Sequence, residues 1–118
     1  MRSDNEILAE LKETAQGLLV MSESDYPFEI IQWDGDLSIT LDYLRGISDA
    51  AADATVEKIG IDDLVNVSSY FPDLVKLLKA RLTNLAVYKV GTINIPVYIV
   101  GRSPAGNWLG LSTRLVQT

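Results

Sequence analysis

Apolar residues recur at helical spacing near the start of the chain. Ile7, Leu8, Leu11, Ala15, Leu18 and Leu19 fall on one stripe. Ser3 and Glu6 stand ahead of them as an S-x-x-E capping box. The spacing predicts a first helix that relaxes near Gly17. Tyr26-Pro27 then requires extended geometry before the proline, and Phe28 to Trp33 reads as a first strand closed by an Asp34-Gly35-Asp36 turn. The pattern weakens from Ile39 to Gly60. A short helix over Thr40 to Arg45 ended by Gly46, an Ala50 to Ala54 extension or link, and a short strand over Thr55 to Ile59 are expected, followed by about one helical turn at Ile61 to Val65.

Phe71, Leu74, Val75, Leu78 and Leu82 form a second helical stripe, with Ser69 as its expected cap and Pro72 in the first turn. Lys76, Lys79 and Arg81 take the opposite face. Three strands follow, over Ala86 to Val90, Ile93 to Val100 and Trp108 to Gln117. A two-residue Gly91-Thr92 turn is expected between the first pair, and a longer loop from Gly101 to Asn107 between the second. In the middle strand Ile93, Ile95, Val97 and Ile99 alternate with Pro96, Tyr98 and Val100, so both faces are largely apolar and both need cover. Helices on both faces of a mainly antiparallel sheet give an α/β fold of the α+β type, a three-layer α/β/α sandwich. Its 118 residues suit one domain, 1–118.

Composition narrows the chemistry. The chain has no cysteine and no histidine, which removes thiolate nucleophiles, Ser-His-Asp triads and imidazole acid-base catalysis. A net charge of −6 conceals an asymmetry: residues 1–63 hold 15 of the 16 acids and 4 of the 10 bases, a balance of −11, while residues 64–118 stand at +5. The acidic half repels nucleic acid and can steer the protein toward a basic partner; solubility charge that happens to be front-loaded is the plain alternative. No apolar signal core follows Met1, and no apolar run approaches the ~20 residues that span a bilayer. The expected location is cytoplasmic, without membrane contact.

Several motifs fail on inspection. Counted from Asp34, an EF-hand would need glycine at Ile39 and glutamate at Arg45. Gly101 to Gly106 has P-loop glycine spacing but is followed by Asn107-Trp108, without the lysine and hydroxyl that hold phosphate and magnesium. Asn66-Val67-Ser68 is a glycosylation sequon with no use in the cytoplasm. Glu29, Asp34 and Asp36 are better read as solvated acids than as a general acid-base pair.

Two segments remain. The strand over Trp108 to Gln117 runs almost to Thr118, so the α-carboxylate and hydroxyl of Thr118 should be held in place as hard-oxygen ligands for a divalent metal or an arginine. A strand that simply stops there is the plain alternative. The second segment, Ser22-Glu23-Ser24-Asp25-Tyr26-Pro27, sets serines around a glutamate and stiffens the exit with Tyr-Pro. It can present a carboxylate to a partner's cation, or serve only as a linker whose serines cap local backbone.

These segments belong to a longer colinear set. It runs through Glu6-Ile7-Leu8, Leu11-Lys12, Gly17-Leu18-Leu19, Met21-Ser22-Glu23-Ser24, Tyr26-Pro27-Phe28-Glu29, Trp33 and Gly35. It resumes at Val87-Tyr88, Gly91, Val97-Tyr98, Gly101, Pro104-Ala105-Gly106-Asn107, Gly110, Ser112-Thr113, Val116 and Thr118. In this combination the chain resembles the nuclease A inhibitors, proteins that block a sugar-non-specific nuclease. The resemblance implies a three-layer α/β/α sandwich and an inhibitor, not an enzyme. It implies a one-to-one complex in which the C-terminal Thr118 joins the coordination of the nuclease's catalytic Mg²⁺. Glu23, with Ser22, Ser24 and Asp25 around it, then meets basic nuclease residues. The protein would carry no cofactor of its own and would be monomeric when free. One stretch departs from the pattern: Ile61 to Pro72 is shorter than the acidic, tryptophan-bearing loop of a well-known member. Tyr70 is the aromatic left to make that contact, since Phe71 fits the helix stripe. The alternative reading is an interaction module of the same fold with another basic or metal-containing partner. An enzyme working through carboxylates alone stands third.

Overall fold

The computed structural model describes residues 3–20, 26–48, 54–92 and 94–116. The first helix, α1, spans Asp4–Ala15 and starts on the expected box: Glu6 N donates to Ser3 Oγ at 3.3 Å and Ser3 N to Glu6 Oε1 at 3.4 Å. Ile7, Leu11 and Ala15 face the core. Gly17 takes φ +79 and turns the chain out of the helix. Leu18 and Leu19 therefore leave the expected stripe: Leu19 opens β1 (Leu19–Val20) and is 46% exposed.

β1 pairs antiparallel with β2 (Tyr26–Pro27), Leu19 opposite Pro27 and Val20 opposite Tyr26. What reads in sequence as a helix-to-strand linker is thus the connection across a two-stranded ribbon. β3 (Glu29–Trp33) follows. The Asp34 turn is closed by Leu37 N on Asp34 O at 3.0 Å and Asp36 N on Asp34 Oδ1 at 2.9 Å. Helix α2, Leu41–Ile47, is capped by Thr40, whose Oγ1 accepts from Tyr43 N at 3.1 Å. Gly46 does not end it: the helix runs on to Ile47 and is capped by Ser48, whose N and Oγ both donate to Leu44 O. Of the Ala50 to Ala54 segment, residues 50–53 lie outside the described residues.

β4 (Val56–Ile59), a 3-10 turn (Ile61–Asp63) and α3 (Val65–Ser68) lead to α4, Pro72–Arg81. Phe71, not Ser69, occupies the N-cap of α4, and no side chain caps it. Pro72 at the first helical position needs no amide partner, and its fixed φ suits the start. β5 (Thr83–Val90), β6 (Asn94–Arg102) and β7 (Trp108–Val116) complete a five-stranded antiparallel sheet of order β3-β7-β6-β5-β4. The chain is therefore an α+β protein.

The β5–β6 connection is longer than the expected two-residue turn. A Gly91-Thr92 turn would set Val90 against residue 93, whereas the observed ladder sets Val87 against Ile99 and Lys89 against Val97. Parity explains the difference. The short turn would place Val87 on the opposite face from Ile95, Val97 and Ile99, and the observed register joins all four in one core.

That core gathers Ile7 and Leu11 of α1, Leu74 and Leu78 of α4, and Leu109, Leu111 and Leu115 of β7. The other face packs Ile31, Val90, Tyr98 and Val100 against Leu44 of α2, with Trp33 and Tyr88 at its margin. Burying side chains of this size contributes roughly 1.5–3 kcal/mol each. β6 is buried on both faces from Ile95 to Gly101, as its double apolar alternation requires.

Candidate functional site

At one end of the sheet β7 outruns its neighbour. The β3 ladder stops at Glu29 opposite Ser112, while β7 continues through Arg114 to Val116 against Asn94 of β6. Beyond that stop β2 takes over: Thr113 Oγ1 donates to Pro27 O at 3.1 Å. The ribbon that closes residues 21–25 and the strand that leads to residue 118 are thus bonded to each other. Phe28, next in sequence, meets Phe71 edge to face at 5.7 Å between ring centroids. Phe71 is thereby engaged in packing, while its neighbour Tyr70 is 61% exposed. Ser22, Glu23, Ser24, Asp25 and Thr118 lie outside the described residues; the segments flanking them, and the one bearing Tyr70, meet at this end.

A cleft of about 600 Å³ opens beside the β2–β7 junction, on the face that α2 covers only in part. Tyr26 and Pro27 of β2, Ser112 and Arg114 of β7, and their ladder partners Tyr98 and Pro96 of β6 line it, together with Ile47 and Glu29. Ser48 Oγ donates to Leu44 O at 2.6 Å, so the 2.7 Å contact between Ser48 and Tyr98 is a donation from the tyrosine hydroxyl. Sequence reading overlooked this cleft. The signal was available: on a face read as apolar, β7 places Ser112 and Arg114 at alternate positions, where a covered sheet would carry aliphatic residues.

The opposite end of the sheet is a structural pin. Asn107 Oδ1 accepts from Gly35 N at 3.0 Å, and Asn107 Nδ2 donates to Asp4 Oδ2 at 2.8 Å. Arg102 Nη1 donates to Gly35 O at 2.7 Å and Gly106 O at 2.6 Å, and its guanidinium lies 3.8 Å from the centroid of the Trp108 ring. Trp108 Nε1 donates to Leu37 O at 3.2 Å. Any Cβ on Gly35 would collide with Gly106 O, so the turn requires glycine there for close approach. The glycine-spaced stretch from Gly101 to Gly106 holds its own backbone, with Ser103 N on Asn107 O and Gly106 N on Ser103 O, both 2.9 Å.

Among the described residues no group of three or more carboxylates could hold a metal, and no helix is long and apolar enough to cross a membrane. Among the described residues, three ion pairs join the acidic first half to the basic second half: Glu10–Arg81 at 3.3 Å, Asp62–Lys79 at 2.8 Å and Glu57–Lys89 at 3.8 Å. Part of the charge asymmetry is therefore met inside the molecule.

No curated protein matches this chain. A family model does, that of the nuclease A inhibitor-like proteins, in two overlapping stretches, residues 5–70 and 65–118. The matches take in the β1–β2 ribbon, the pin except Asp4, and β7, so the chain belongs to the nuclease A inhibitor-like family.

Proposed function

We propose that this protein inhibits a metal-dependent, sugar-non-specific endonuclease by occluding its active site in a one-to-one complex. The α-carboxylate and hydroxyl of Thr118 supply hard oxygens to the nuclease's Mg²⁺, in the manner of a substrate phosphate. The carboxylate of Glu23, flanked by Ser22, Ser24 and Asp25, meets basic side chains that otherwise hold nucleic acid. Tyr70 offers an exposed ring beside them. The inhibitor brings no cofactor of its own, acts as a cytoplasmic monomer, and uses its whole length as one α/β/α sandwich domain.

One observation carries this reading: the Thr113–Pro27 hydrogen bond, which ties the β1–β2 ribbon to β7. Covalent reach then limits how far apart the contacts can lie. Glu23 is three residues from Tyr26 and Thr118 two from Val116, so chain length caps them at about 11 Å and 7 Å from those anchors. A metal and the basic groups around it fall within such a span.

The test is a titration of a purified Mg²⁺-dependent sugar-non-specific nuclease. Activity should fall linearly to an equivalence point near one-to-one, and added substrate DNA should compete. Absence of inhibition at stoichiometric excess would refute the reading and leave an interaction module with another partner.

A further inference from the structure

The cleft beside β2 and β7 holds a charge that meets no partner among the described residues. Four arginines are among the described residues. Arg45 donates to Ala54 O at 2.8 Å and pairs with Asp42, Arg81 pairs with Glu10, and Arg102 bridges two carbonyls. Arg114 is the exception: among the described residues it has neither a hydrogen bond nor an ion pair. It is half-buried and lines the cleft together with Ser112, Tyr26 and Pro27, opposite Pro96 in the β6–β7 ladder. Glu29, which also lines the cleft and stands opposite Ser112, makes no ion pair with it. Arg114 is then a diagonal neighbour, a separation of about 7–8 Å, and no contact forms within 4.0 Å.

A guanidinium without a partner among the described residues has a consequence for binding at this place. It lies between the ribbon that leads to Glu23 and the strand end that leads to Thr118, the two anionic contacts proposed above. A nuclease surface built to hold phosphates is cationic there, and Arg114 repels it unless the partner sets an acid against this spot. Its planar fork of donors matches a carboxylate in bidentate geometry. The rings of Tyr26, Pro27 and Pro96 offer an apolar seat for the methylene groups behind such a carboxylate.

We infer that this cleft is a second docking point on the inhibitor, taking an aspartate or glutamate side chain of the nuclease against Arg114. It selects among nucleases: one with an acid at the matching position gains a contact, and one with a base or an apolar group there meets an unpaired cation. The inference rests on the inhibitor reading above.

The test uses the full chain with Arg114→Gln, Arg114→Lys and Arg114→Glu, against a Mg²⁺-dependent nuclease that the wild type inhibits. Arg114→Gln should raise the inhibition constant about tenfold or more, and Arg114→Glu about a hundredfold or more. Arg114→Lys should recover part of the loss. Thermal melts report folding; should the charge reversal fail to fold, the glutamine and lysine variants decide the outcome. Simple attraction between an acidic inhibitor and a basic nuclease predicts the reverse, a tighter complex from Arg114→Glu. That result, or equal inhibition by all variants, would overturn the docking point and leave the inhibitor reading standing. Wild-type protein that inhibits no such nuclease would instead refute the inhibitor reading. Inorganic phosphate titrated into the free protein is the last arm. Shifts of the Ser112 and Arg114 NMR signals, with inhibition unaltered by the substitutions, would assign the cleft to a small anion and overturn its docking role.

Discussion

Asn107→Ala isolates the pin from the binding end. The substitution strands two groups at once: Gly35 N–H loses its 3.0 Å acceptor and the Asp4 carboxylate loses a 2.8 Å donor. The other oxygen of that carboxylate, Oδ1, is already buried without a donor among the described residues. A neutral hydrogen bond lost from a part-buried site costs about 1 kcal/mol, and one to a charged group about 1.5–3. The expected loss is therefore about 2–4 kcal/mol, or about 8–16 °C in melting temperature for a chain of this size. Circular dichroism melts and urea unfolding would measure it. Asn107→Asp keeps an acceptor for Gly35 but faces Asp4 with a second carboxylate, so it should melt no higher than the alanine variant. Nuclease inhibition by the folded fraction should be unchanged, because eight residues of β7, about 26 Å, separate this end from Val116. A variant that melts within a degree of wild type would refute the pin. A folded variant that no longer inhibits would place this end, too, at the partner surface.

Three further outcomes are expected. Glu23→Ala should weaken the nuclease complex by roughly 2–5 kcal/mol in equilibrium binding while leaving the melting temperature alone; wild-type affinity would remove Glu23 from the contact. Association should slow as salt rises, with dissociation changing less, because the acidic half steers encounter; stopped-flow rates that ignore salt would mean that pairs such as Glu10–Arg81 and Asp62–Lys79 leave too little free charge to matter. Deleting Thr118 draws the terminal carboxylate back by about 3.3 Å, beyond a Mg²⁺ bond of about 2.0–2.1 Å. Either that deletion or a C-terminal tag should therefore abolish most inhibition, whereas an N-terminal tag is tolerated; a fully potent C-terminally tagged protein would refute the terminal mechanism.

How far the fold can be read from sequence depends on what decides each element. The Ser3–Glu6 box, the stripes of α1 and α4, and the alternation of β6 are local patterns, and they appear where expected. Gly46 was misread because its helix is ended by Ser48 bonding back to Leu44, which no glycine rule foresees. Leu19 was misread because its partner, Pro27, lies across a connection that hydrophobic spacing does not reveal. The β5–β6 register needed the second face as well as the turn residues. At the functional end Thr118 and the Ser22–Pro27 segment stood out locally and the family resemblance gave them roles, whereas the cleft depends on Pro27, Tyr98 and Arg114 meeting across three strands, a juxtaposition no single stretch encodes.

The strand order also bears on how the protein is made. β7 is the last strand in chain order, yet it inserts between β3 and β6. On the ribosome β3 is therefore made early and must wait for its sheet partner, some 75 residues later. At about 5–20 residues per second that wait is roughly 4–15 s. During it Ile30 and Ile31 have no ladder, and β4, β5 and β6 can pair without them. The segment through β3, itself rich in acids, thus waits unpaired, and its like charges oppose self-association meanwhile. The acidity proposed to steer the finished molecule toward a basic partner would then already have protected it during synthesis.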